Sequence, residues 1–272
     1  TPLYSSAASD VYKRQKCALV TGSNRGTGEM MARQLANEGV RVIVHSLVAG
    51  PSKEVASTIN NAVAVWGDIT CEEGSDQVVN QVHQYTERLD MLVNNYGTAT
   101  AGKWLSSNTQ DWVDIYQTNT ISVARLVKAF VPAMKEGRQG GRIVNLGTFG
   151  SIRPNAEMPH YYASKGALAT MTVSLAKELA GTGITINMVL PGVIKTAEVE
   201  ASLMKRAKNE NWEQQDWDAV EKRVASEIYP IPLGRLASRE EIADLVVFLC
   251  SERASYVLGQ NIRIDGGAVD TI

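Results

Sequence analysis

Short apolar segments alternate with longer helix-like stretches along almost the whole chain. Apolar runs lie at 17–20, 40–44, 62–66, 89–93, 142–146, 184–190 and 261–264, and helical patterns lie at 29–38, 71–88, 111–134, 161–180 and 240–250. Strands in such an alternation are joined by right-handed crossovers and form a mostly parallel sheet. Their continuous apolar character indicates burial on both faces. We therefore predict an α/β fold, a single domain with a doubly wound parallel sheet of about seven strands and helices on both faces.

Composition excludes several classes of protein. The 272 residues are 44% hydrophobic and 21% charged, with a net charge of −2. These proportions are typical of globular proteins, and the charge balance argues against a nucleic-acid binder. No apolar run approaches the ~20 residues that span a bilayer, so we expect no membrane segment. Three distant cysteines predict no disulfide framework and favour the cytoplasm, and three scattered histidines suggest no metal site.

Two segments depart from the regular pattern. Residues 1–15 show neither a helical nor a strand period and no apolar signal core. We interpret them as a non-native leader, with a short native arm as the alternative, and assign the domain to residues 16–272. Residues 195–230 are charged and carry tryptophans. They are predicted to form a helical excursion above the sheet.

A glycine-rich loop follows the first predicted strand. Gly22, Gly26 and Gly28 lie in TGSNRGTG, directly before the first predicted helix. Glycines allow positive φ and a close approach of the backbone to a ligand, and the helix N-terminus offers free N–H groups to a phosphate. A tight turn without a ligand is the alternative, but the strand–turn–helix context favours a dinucleotide site.

The glycine spacing and four later motifs resemble those of one family. G-x-x-x-G-x-G differs from the more common G-x-G-x-x-G, and it is followed by NNYG at 94–97, YYASK at 161–165, PGVIKT at 191–196 and the GQ and DGG of 259–267. In this order the motifs resemble those of the short-chain dehydrogenase/reductase family, in particular its members like 3-oxoacyl-carrier-protein reductase. The resemblance implies a Rossmann-type fold that binds NAD(H) or NADP(H) and transfers hydride to or from a carbonyl or alcohol carbon.

The same resemblance implies a cofactor site. Residues 68–69 would contact the adenine, Lys165 the nicotinamide ribose, and Ile194 with Thr196 the carboxamide. The residues expected to bind the cofactor are Gly22, Asn24, Arg25, Gly26, Thr27, Gly28, His45, Ser46, Asp68, Ile69, Asn95, Gly97, Tyr161, Lys165, Pro191, Gly192, Ile194 and Thr196.

Tyr161 and Lys165 are the candidate acid–base pair. They are four residues apart on a predicted helix and share one face. A phenol with a pKa near ~10 is a weak base at neutral pH, and a nearby ammonium group lowers that pKa. We therefore expect Tyr161 to exchange a proton with the substrate oxygen during hydride transfer.

Two polar residues complete the catalytic set that the resemblance implies. The family usually has a Ser thirteen residues before the Tyr, where it polarises the substrate oxygen, and here Thr148 keeps the hydroxyl. The alternative is that Thr148 only ends a strand and activity is impaired, with Ser151 as a less well placed substitute. Asn119 would hold a water molecule that links Lys165 to solvent. Otherwise Asn119 is a polar residue on a helix face, where its propensity is poor.

The end of the second strand bears on the choice of cofactor. NAD-specific relatives have an Asp there, whereas this chain has Ser46 preceded by His45. Arg25 stands where NADP-preferring relatives carry a basic residue, and guanidinium suits phosphate geometry. An ordinary solvated loop charge is the alternative for Arg25. We expect NADP(H), with NAD(H) as the second choice.

Two residues depart from the family pattern near the site. Tyr96 replaces an Ala and is expected to crowd the cofactor channel or lean towards the substrate mouth, and Gly147 replaces a Ser and is expected to open room beside Thr148. Met158, Trp212 and Trp217 either form an apolar lid or pack the excursion onto the body. The substrate is expected among Thr148, residues 153–160, Tyr161, Gly192, Val193 and residues 197–230.

These observations favour an NADP(H)-dependent carbonyl reductase or alcohol dehydrogenase with a small-molecule substrate. A cofactor-binding sensor or scaffold without turnover is the alternative, motivated by Thr148 and Tyr96. A sugar epimerase or dehydratase is disfavoured by the glycine spacing and the chain length. The resemblance also makes the two long helices the interface of a homotetramer or homodimer. Apolar residues on these helices that exceed the needs of one core are Val123, Leu126, Val127, Leu168 and Leu175.

Overall fold

The computed structural model describes residues 16–136, 140–213 and 216–270. The expected leader at 1–15 lies outside the described residues. The strands are Cys17–Val20 (β1), Arg41–Ser46 (β2), Ala62–Trp66 (β3), Met91–Asn94 (β4), Arg142–Leu146 (β5), Thr185–Pro191 (β6) and Asn261–Ile264 (β7). The α-helices are Gly26–Asn37 (α1), Ala49–Ser57 (α2), Glu72–His83 (α3), Thr109–Tyr116 (α4), Ser122–Glu136 (α5), Pro159–Glu178 (α6), Ala197–Asn209 (α7), Trp217–Arg223 (α8) and Arg239–Cys250 (α9).

The seven strands form one sheet in the order β3-β2-β1-β4-β5-β6-β7, and every neighbouring pair is parallel. The direction in which the chain adds strands reverses between β1 and β4. In doubly wound sheets this reversal leaves a crevice at the carboxyl ends of the strands, where ligands bind. The predicted α/β fold is confirmed.

Alternate residues of the strands point to opposite faces, so each face has its own core. On one face, Val20 and Val44 lie in a cluster with Leu35 of α1 and Val246 of α9. On the other face the cluster contains Leu19 of β1, Ile43 of β2, Val78 of α3, Phe130 of α5 and Leu179, the C-cap residue of α6. The central strands are therefore buried on both sides, as their apolar sequences predict.

The predicted helix at 111–134 is interrupted. Residues Gln117–Ile121 form a π-helical turn between α4 and α5. Two side-chain hydroxyl groups donate hydrogen bonds to backbone carbonyl oxygens in this region. Thr118 Oγ1 donates to Asp114 O at 2.9 Å, and Ser122 Oγ donates to Thr118 O at 2.6 Å. Such bonds compete with the regular helix pattern. The extra residue in the turn changes which side chains face the sheet, and Asn119 becomes fully buried.

Other element bounds also differ from the prediction. The first helix begins at Gly26 rather than at residue 29, and α2 was not foreseen. The third helix ends at His83 instead of residue 88 because the Thr86 hydroxyl donates to Arg88 O at 2.6 Å and forms a turn. Helical segments with a small core of their own form most of the excursion at 195–230, as expected. That core includes Leu203, Ala207, Trp212, Val220, Val224 and Ile231.

Candidate functional site

The glycine-rich loop joins β1 to α1 and forms a cradle for an anion. Gly22 and Gly26 both have a φ of +60°, which residues with a Cβ rarely adopt. A Cβ on Gly28 would overlap the Asn95 side chain and the Gly22 carbonyl oxygen, whereas a Cβ on Gly26 would meet open space. The loop is therefore closely packed underneath and open above.

The first turn of α1 lies at this opening. Arg25 is the N-cap residue, and its side chain makes no hydrogen bond to the turn. Uncapped N–H groups at the start of a 12-residue helix attract a phosphate. Asn24 and Thr27 lie beside them and are partly exposed. The cradle thus fits the pyrophosphate of a dinucleotide.

His45 lies under the loop and supports it from below. The ring is fully buried. Its Nδ1 accepts a 3.0 Å hydrogen bond from Gly22 N, and its Nε2 lies 3.0 Å from Gly67 O, so the proton is on Nε2. Burial lowers the pKa of His45 to about 4. Both ring nitrogens therefore bond to backbone atoms of the protein. The His45 side chain was expected to contact the cofactor, but it supports the glycine-rich loop instead.

Ser46 and Arg25, the residues expected to favour NADP(H), differ in their exposure to solvent. Ser46 is buried, and its Oγ accepts from Ser52 N at 3.0 Å and donates to Val48 O at 2.5 Å. Its side chain thus stabilises the start of α2. Arg25 is exposed, and its Nη1 lies 2.8 Å from Glu198 Oε1 at the start of α7. No carboxylate stands at the end of β2.

The segment after β4 closes against the glycine loop. Asn95 Nδ2 donates to the carbonyl oxygens of Thr21 and Gly22, at 2.9 and 3.1 Å. Tyr96 stacks over the loop, with its ring edge-on to His45 at 6.1 Å between centroids and its Cδ2 3.2 Å from a Cβ built on Gly22. The Tyr96 ring therefore lies against the loop and does not lean towards the substrate mouth.

Other residues expected at the cofactor site end strands at the same edge of the sheet. Asp68 Oδ1 accepts from Thr70 N at 2.9 Å, and Ile69 is buried in the core. Pro191 ends β6, Gly192 N donates to Ile264 O at 2.9 Å, and Ile194 pairs with Ala237. Thr196 caps α7 by accepting from Val199 N at 3.2 Å. The structure therefore brings these segments to the crevice, although the Ile69 side chain faces inwards.

Lys165 is buried on α6 and bonds across to the sheet. Its Nζ donates to Leu146 O at 2.7 Å, and a Cβ on Gly97 would lie 3.2 Å from the same Nζ. Glycine at position 97 therefore lets the backbone pass close to the amine. Burial lowers the pKa of Lys165 to about 8.

The Thr148 hydroxyl is near enough to the Tyr161 phenol to influence its pKa. Burial raises the pKa of Tyr161 to about 12, and the Thr148 hydroxyl only partly opposes this rise. Loss of hydration is therefore the largest influence on the pKa of this phenol, and the lowering expected from Lys165 stays a prediction. Thr148 itself is buried and accepts from Gly150 N at 3.2 Å.

The side-chain amide of Asn119 forms hydrogen bonds with the backbone near Lys165. Its Oδ1 accepts from Thr98 N at 3.0 Å, and its Nδ2 donates to Thr98 O at 2.9 Å and to Ser164 Oγ at 3.2 Å. Ser164 Oγ in turn donates to Tyr161 O at 2.7 Å. Both amide hydrogens of Asn119 are thus used within the protein, and one lone pair of Oδ1 remains for a water molecule.

One of these contacts involves a residue that sequence reasoning missed. Ser164 lies inside the YYASK motif, directly before Lys165, and its place in that motif was the available signal. His160 precedes Tyr161, and its Nδ1 accepts from Tyr161 N at 3.0 Å. This bond satisfies a free N–H in the first turn of α6. No sequence pattern indicates it.

Gly147 does not open room beside Thr148, contrary to expectation. A Cβ at Gly147 would overlap Met188 Cε, with Leu190 Cδ2 also at 2.5 Å. The space is therefore filled by neighbours from β6. Ser151 Oγ donates to the Thr148 carbonyl oxygen at 2.8 Å, so this hydroxyl is engaged with backbone.

Both tryptophans of the excursion belong to its own packing. Trp212 is buried, its Nε1 donates to Glu210 Oε2 at 3.0 Å, and Arg223 lies 4.3 Å over its ring. Trp217 is partly buried under Lys195, whose Nζ is 4.7 Å from the ring centroid. The second of the two interpretations therefore applies to these tryptophans. Phe149 joins the same cluster and links it to the strand end that carries Thr148.

No described helix is both long and apolar enough to cross a bilayer. No three His, Cys, Asp or Glu side chains come together as metal ligands in the ranges 16–136, 140–213 and 216–270.

The site can be compared with known proteins. A protein-family model described as "Enoyl-(Acyl carrier protein) reductase" matches residues 22–269. The 3-oxoacyl-[acyl-carrier-protein] reductase FabG of Salmonella typhimurium is 33% identical over 253 residues, covering 93% of this chain and 96% of the relative. FabG of Escherichia coli is 32% identical with the same coverage.

Solved structures give the same result. L-sorbose reductase from Gluconobacter frateurii, complexed with NADPH and L-sorbose, has a TM-score of 0.88 and 30% identity, over 94% of this chain and 97% of the other. The NADPH-dependent reductase YwfH, involved in bacilysin biosynthesis, has a TM-score of 0.86 and 26% identity, over 94% and 99%. The chain therefore belongs to the short-chain dehydrogenase/reductase family and is an NAD(P)-dependent oxidoreductase of that family.

Proposed function

We propose that this enzyme uses NADP(H) to reduce a carbonyl group to a secondary alcohol, or to catalyse the reverse reaction, with Tyr161 as acid and base. The observation that carries the proposal is the proximity of the Thr148 hydroxyl to the Tyr161 phenol. Two hydroxyls held together can both bond to one substrate oxygen, so that one polarises it while the other transfers a proton. This pairing argues against a sensor that has lost catalysis.

The protonation state of Tyr161 favours the reductive direction. With a pKa of about 12, the phenol keeps its proton at neutral pH. A protonated phenol can give that proton to the carbonyl oxygen as the carbon accepts a hydride. The phenolate formed in this step lies one helical turn from the Lys165 amine, whose positive charge stabilises it. Asn119 contributes by fixing the Gly97–Thr98 backbone against that amine.

NADPH would supply the hydride. The glycine loop would hold its pyrophosphate, and Arg25 would bind the 2′-phosphate through its guanidinium. Ser46 supports this preference because it leaves no carboxylate at the end of β2 to repel a phosphate. The L-sorbose reductase and YwfH of similar fold also use NADPH.

The substrate is proposed to be a small molecule with a ketone or a secondary alcohol. The relatives reduce 3-oxoacyl groups and L-sorbose, which share a carbonyl beside further polar groups. The free cysteines among the described residues, two of them buried, fit a reducing compartment such as the cytoplasm.

A homotetramer or homodimer is proposed through α5 and α6. These helices border an open groove lined by apolar side chains and a few charged ones, including Val127, Val131, Met171 and Leu175. Leu126 and Leu168, expected on this surface, are instead fully buried within the monomer. Fewer apolar side chains are therefore exposed in the groove than the sequence indicates, but the groove still suits a second copy of the chain.

The proposal is tested with Tyr161→Phe. This variant removes only the phenol hydroxyl, so we expect NADPH binding to persist and carbonyl-dependent NADPH oxidation to fall by about 10²- to 10⁴-fold. Tyr162→Phe is the matched control, because the neighbouring phenol is influenced by Asn155 and not by Thr148. Turnover of Tyr161→Phe at the rate of the unmodified enzyme would refute the assignment.

A further inference from the structure

We propose that Glu198 is a specificity-determining residue, which weakens the enzyme's preference for NADP(H) by holding the Arg25 guanidinium away from the 2′-phosphate. The inference rests on the proposed function, in which Arg25 binds that phosphate. It predicts that the enzyme discriminates between the two nicotinamide cofactors less strongly than Arg25 alone would allow.

Arg25 and Glu198 come from segments that are far apart in the sequence. Arg25 precedes α1 in the glycine loop, and Glu198 is in the first turn of α7. Their side chains meet in a salt bridge of 2.8 Å between residues 173 positions apart. The guanidinium is therefore held against the first turn of α7, whereas the adenosine ribose of a bound cofactor is expected at the end of β2.

The two side chains are exposed, with 73% of Arg25 and 56% of Glu198 accessible to solvent. An exposed ion pair contributes little stability and exchanges partners easily. A dianionic phosphate can therefore capture Arg25, but only by breaking this contact or by sharing the guanidinium with a carboxylate. In the first route the interaction energy of the Arg25–Glu198 ion pair is lost. In the second route the phosphate and the carboxylate, which are both negative, lie close together. Both routes weaken binding of the 2′-phosphate.

The surroundings of Glu198 favour the ionised form of its carboxylate. Its own backbone N–H and the Thr196 hydroxyl lie near the carboxylate, and together with the Arg25 charge they lower its pKa below the ordinary value. Arg239 contributes a further positive charge nearby. The carboxylate therefore remains ionised at neutral pH and is available to pair with Arg25.

The test compares the affinities of the full-length protein for NADPH and NADH by calorimetric titration. In Glu198→Gln we expect the NADPH dissociation constant to fall by about two- to fivefold, the range that an exposed ion pair allows, while that of NADH stays the same. Glu200→Gln is the matched control, because Glu200 lies in the same first turn of α7 and does not pair with Arg25. It should change neither constant.

Arg25→Gln separates this inference from the proposed function. If Arg25 binds the 2′-phosphate, Arg25→Gln loses affinity for NADPH but not for NADH, whatever Glu198→Gln does. Adding Glu198→Gln to Arg25→Gln should then have no effect. A gain for NADH equal to that for NADPH, no gain for either cofactor, or a gain that persists without Arg25 would each overturn the assignment of Glu198. Titration with 2′,5′-ADP and 5′-AMP checks that the effect resides in the phosphate.

Discussion

The Nζ of Lys165 donates a hydrogen bond of 2.7 Å to the carbonyl oxygen of Leu146, so the helix that carries Tyr161 is tied to the last residue of β5. Leu146 precedes Thr148 by two residues, and Tyr161 precedes Lys165 by one helical turn. This single contact therefore helps to set the distance between the two hydroxyls. The same burial that makes the contact strong lowers the pKa of Lys165 to about 8.

Lys165→Met is expected to lower the rate of carbonyl reduction by about 10²-fold or more, because the phenolate left on Tyr161 loses its nearby positive charge. The rate of the unmodified enzyme should fall as pH rises through about 8, where Lys165 loses its proton. This decline should be absent in Lys165→Met. The measurement is NADPH oxidation at saturating substrate across this pH range.

Lys177→Met is the control for Lys165→Met, since Lys177 is exposed near the end of the same helix. It removes the same charge without touching β5. A pH profile of Lys165→Met that still declines near pH 8 would show that another group titrates there.

The sequence predicts those parts of the site that depend on local spacing. The glycine loop lies between a strand and a helix, and a separation of four residues places Tyr161 and Lys165 on one helical face. Both features follow from one segment of chain, and the fold brings them to the same crevice. The strand pattern was sufficient for the sheet because each strand is buried on both faces.

Features that depend on contacts between distant segments were not predictable. His45 follows an apolar strand and resembles an end-of-strand ligand, but its ring is buried between Gly22 and Gly67. Asn119 was expected in a continuous helix, whereas the π-helical turn presents it to Thr98. In both cases the partner lies more than 20 residues away, and residue periodicity contains no information about such a partner.

Thr148→Val is expected to lower the rate of reduction by about 10²-fold, because it removes the hydroxyl near Tyr161 that would polarise the substrate oxygen while keeping the shape of the side chain. It also leaves the Gly150 N–H without its acceptor, which should reduce the free energy of unfolding by about 1 kcal/mol. Steady-state kinetics and urea unfolding measure the two effects. Thr148→Ser keeps the hydroxyl and should remain active, and loss of activity in that variant would show that the methyl group is needed.

His45 is expected to make the enzyme sensitive to acid. Its pKa is about 4 in the folded protein and 6.5 when unfolded, so the unfolded chain binds the additional proton first. The contribution of His45 to the free energy of unfolding should therefore be fully present above pH 6.5. It should decrease by about 3 kcal/mol as the pH falls to 4. Urea unfolding at several pH values measures it.

Two variants isolate the effect of His45. His45→Asn removes the titrating ring and should flatten this part of the stability curve, whereas His83→Asn, at an exposed position, should not. NADPH affinity should also weaken on acidification, because protonated Nδ1 cannot accept from Gly22 N. Identical acid dependence in His45→Asn and the unmodified protein would exclude His45 as the cause.

Gly147→Ala is expected to destabilise the fold by about 1–3 kcal/mol, the range for overfilling a packed core. The added Cβ would overlap Met188 Cε and come close to Leu190 Cδ2. Both side chains are fully buried, so the added Cβ requires their ends to shift within a packed core. Gly50→Ala is the matched control, because a Cβ at Gly50 in α2 meets no atom within 4 Å, and helix propensity should make it neutral or slightly stabilising. Equal unfolding free energies for Gly147→Ala and the unmodified protein would show that Met188 and Leu190 rearrange freely, and that the strand end beside Thr148 is less rigid than its packing indicates.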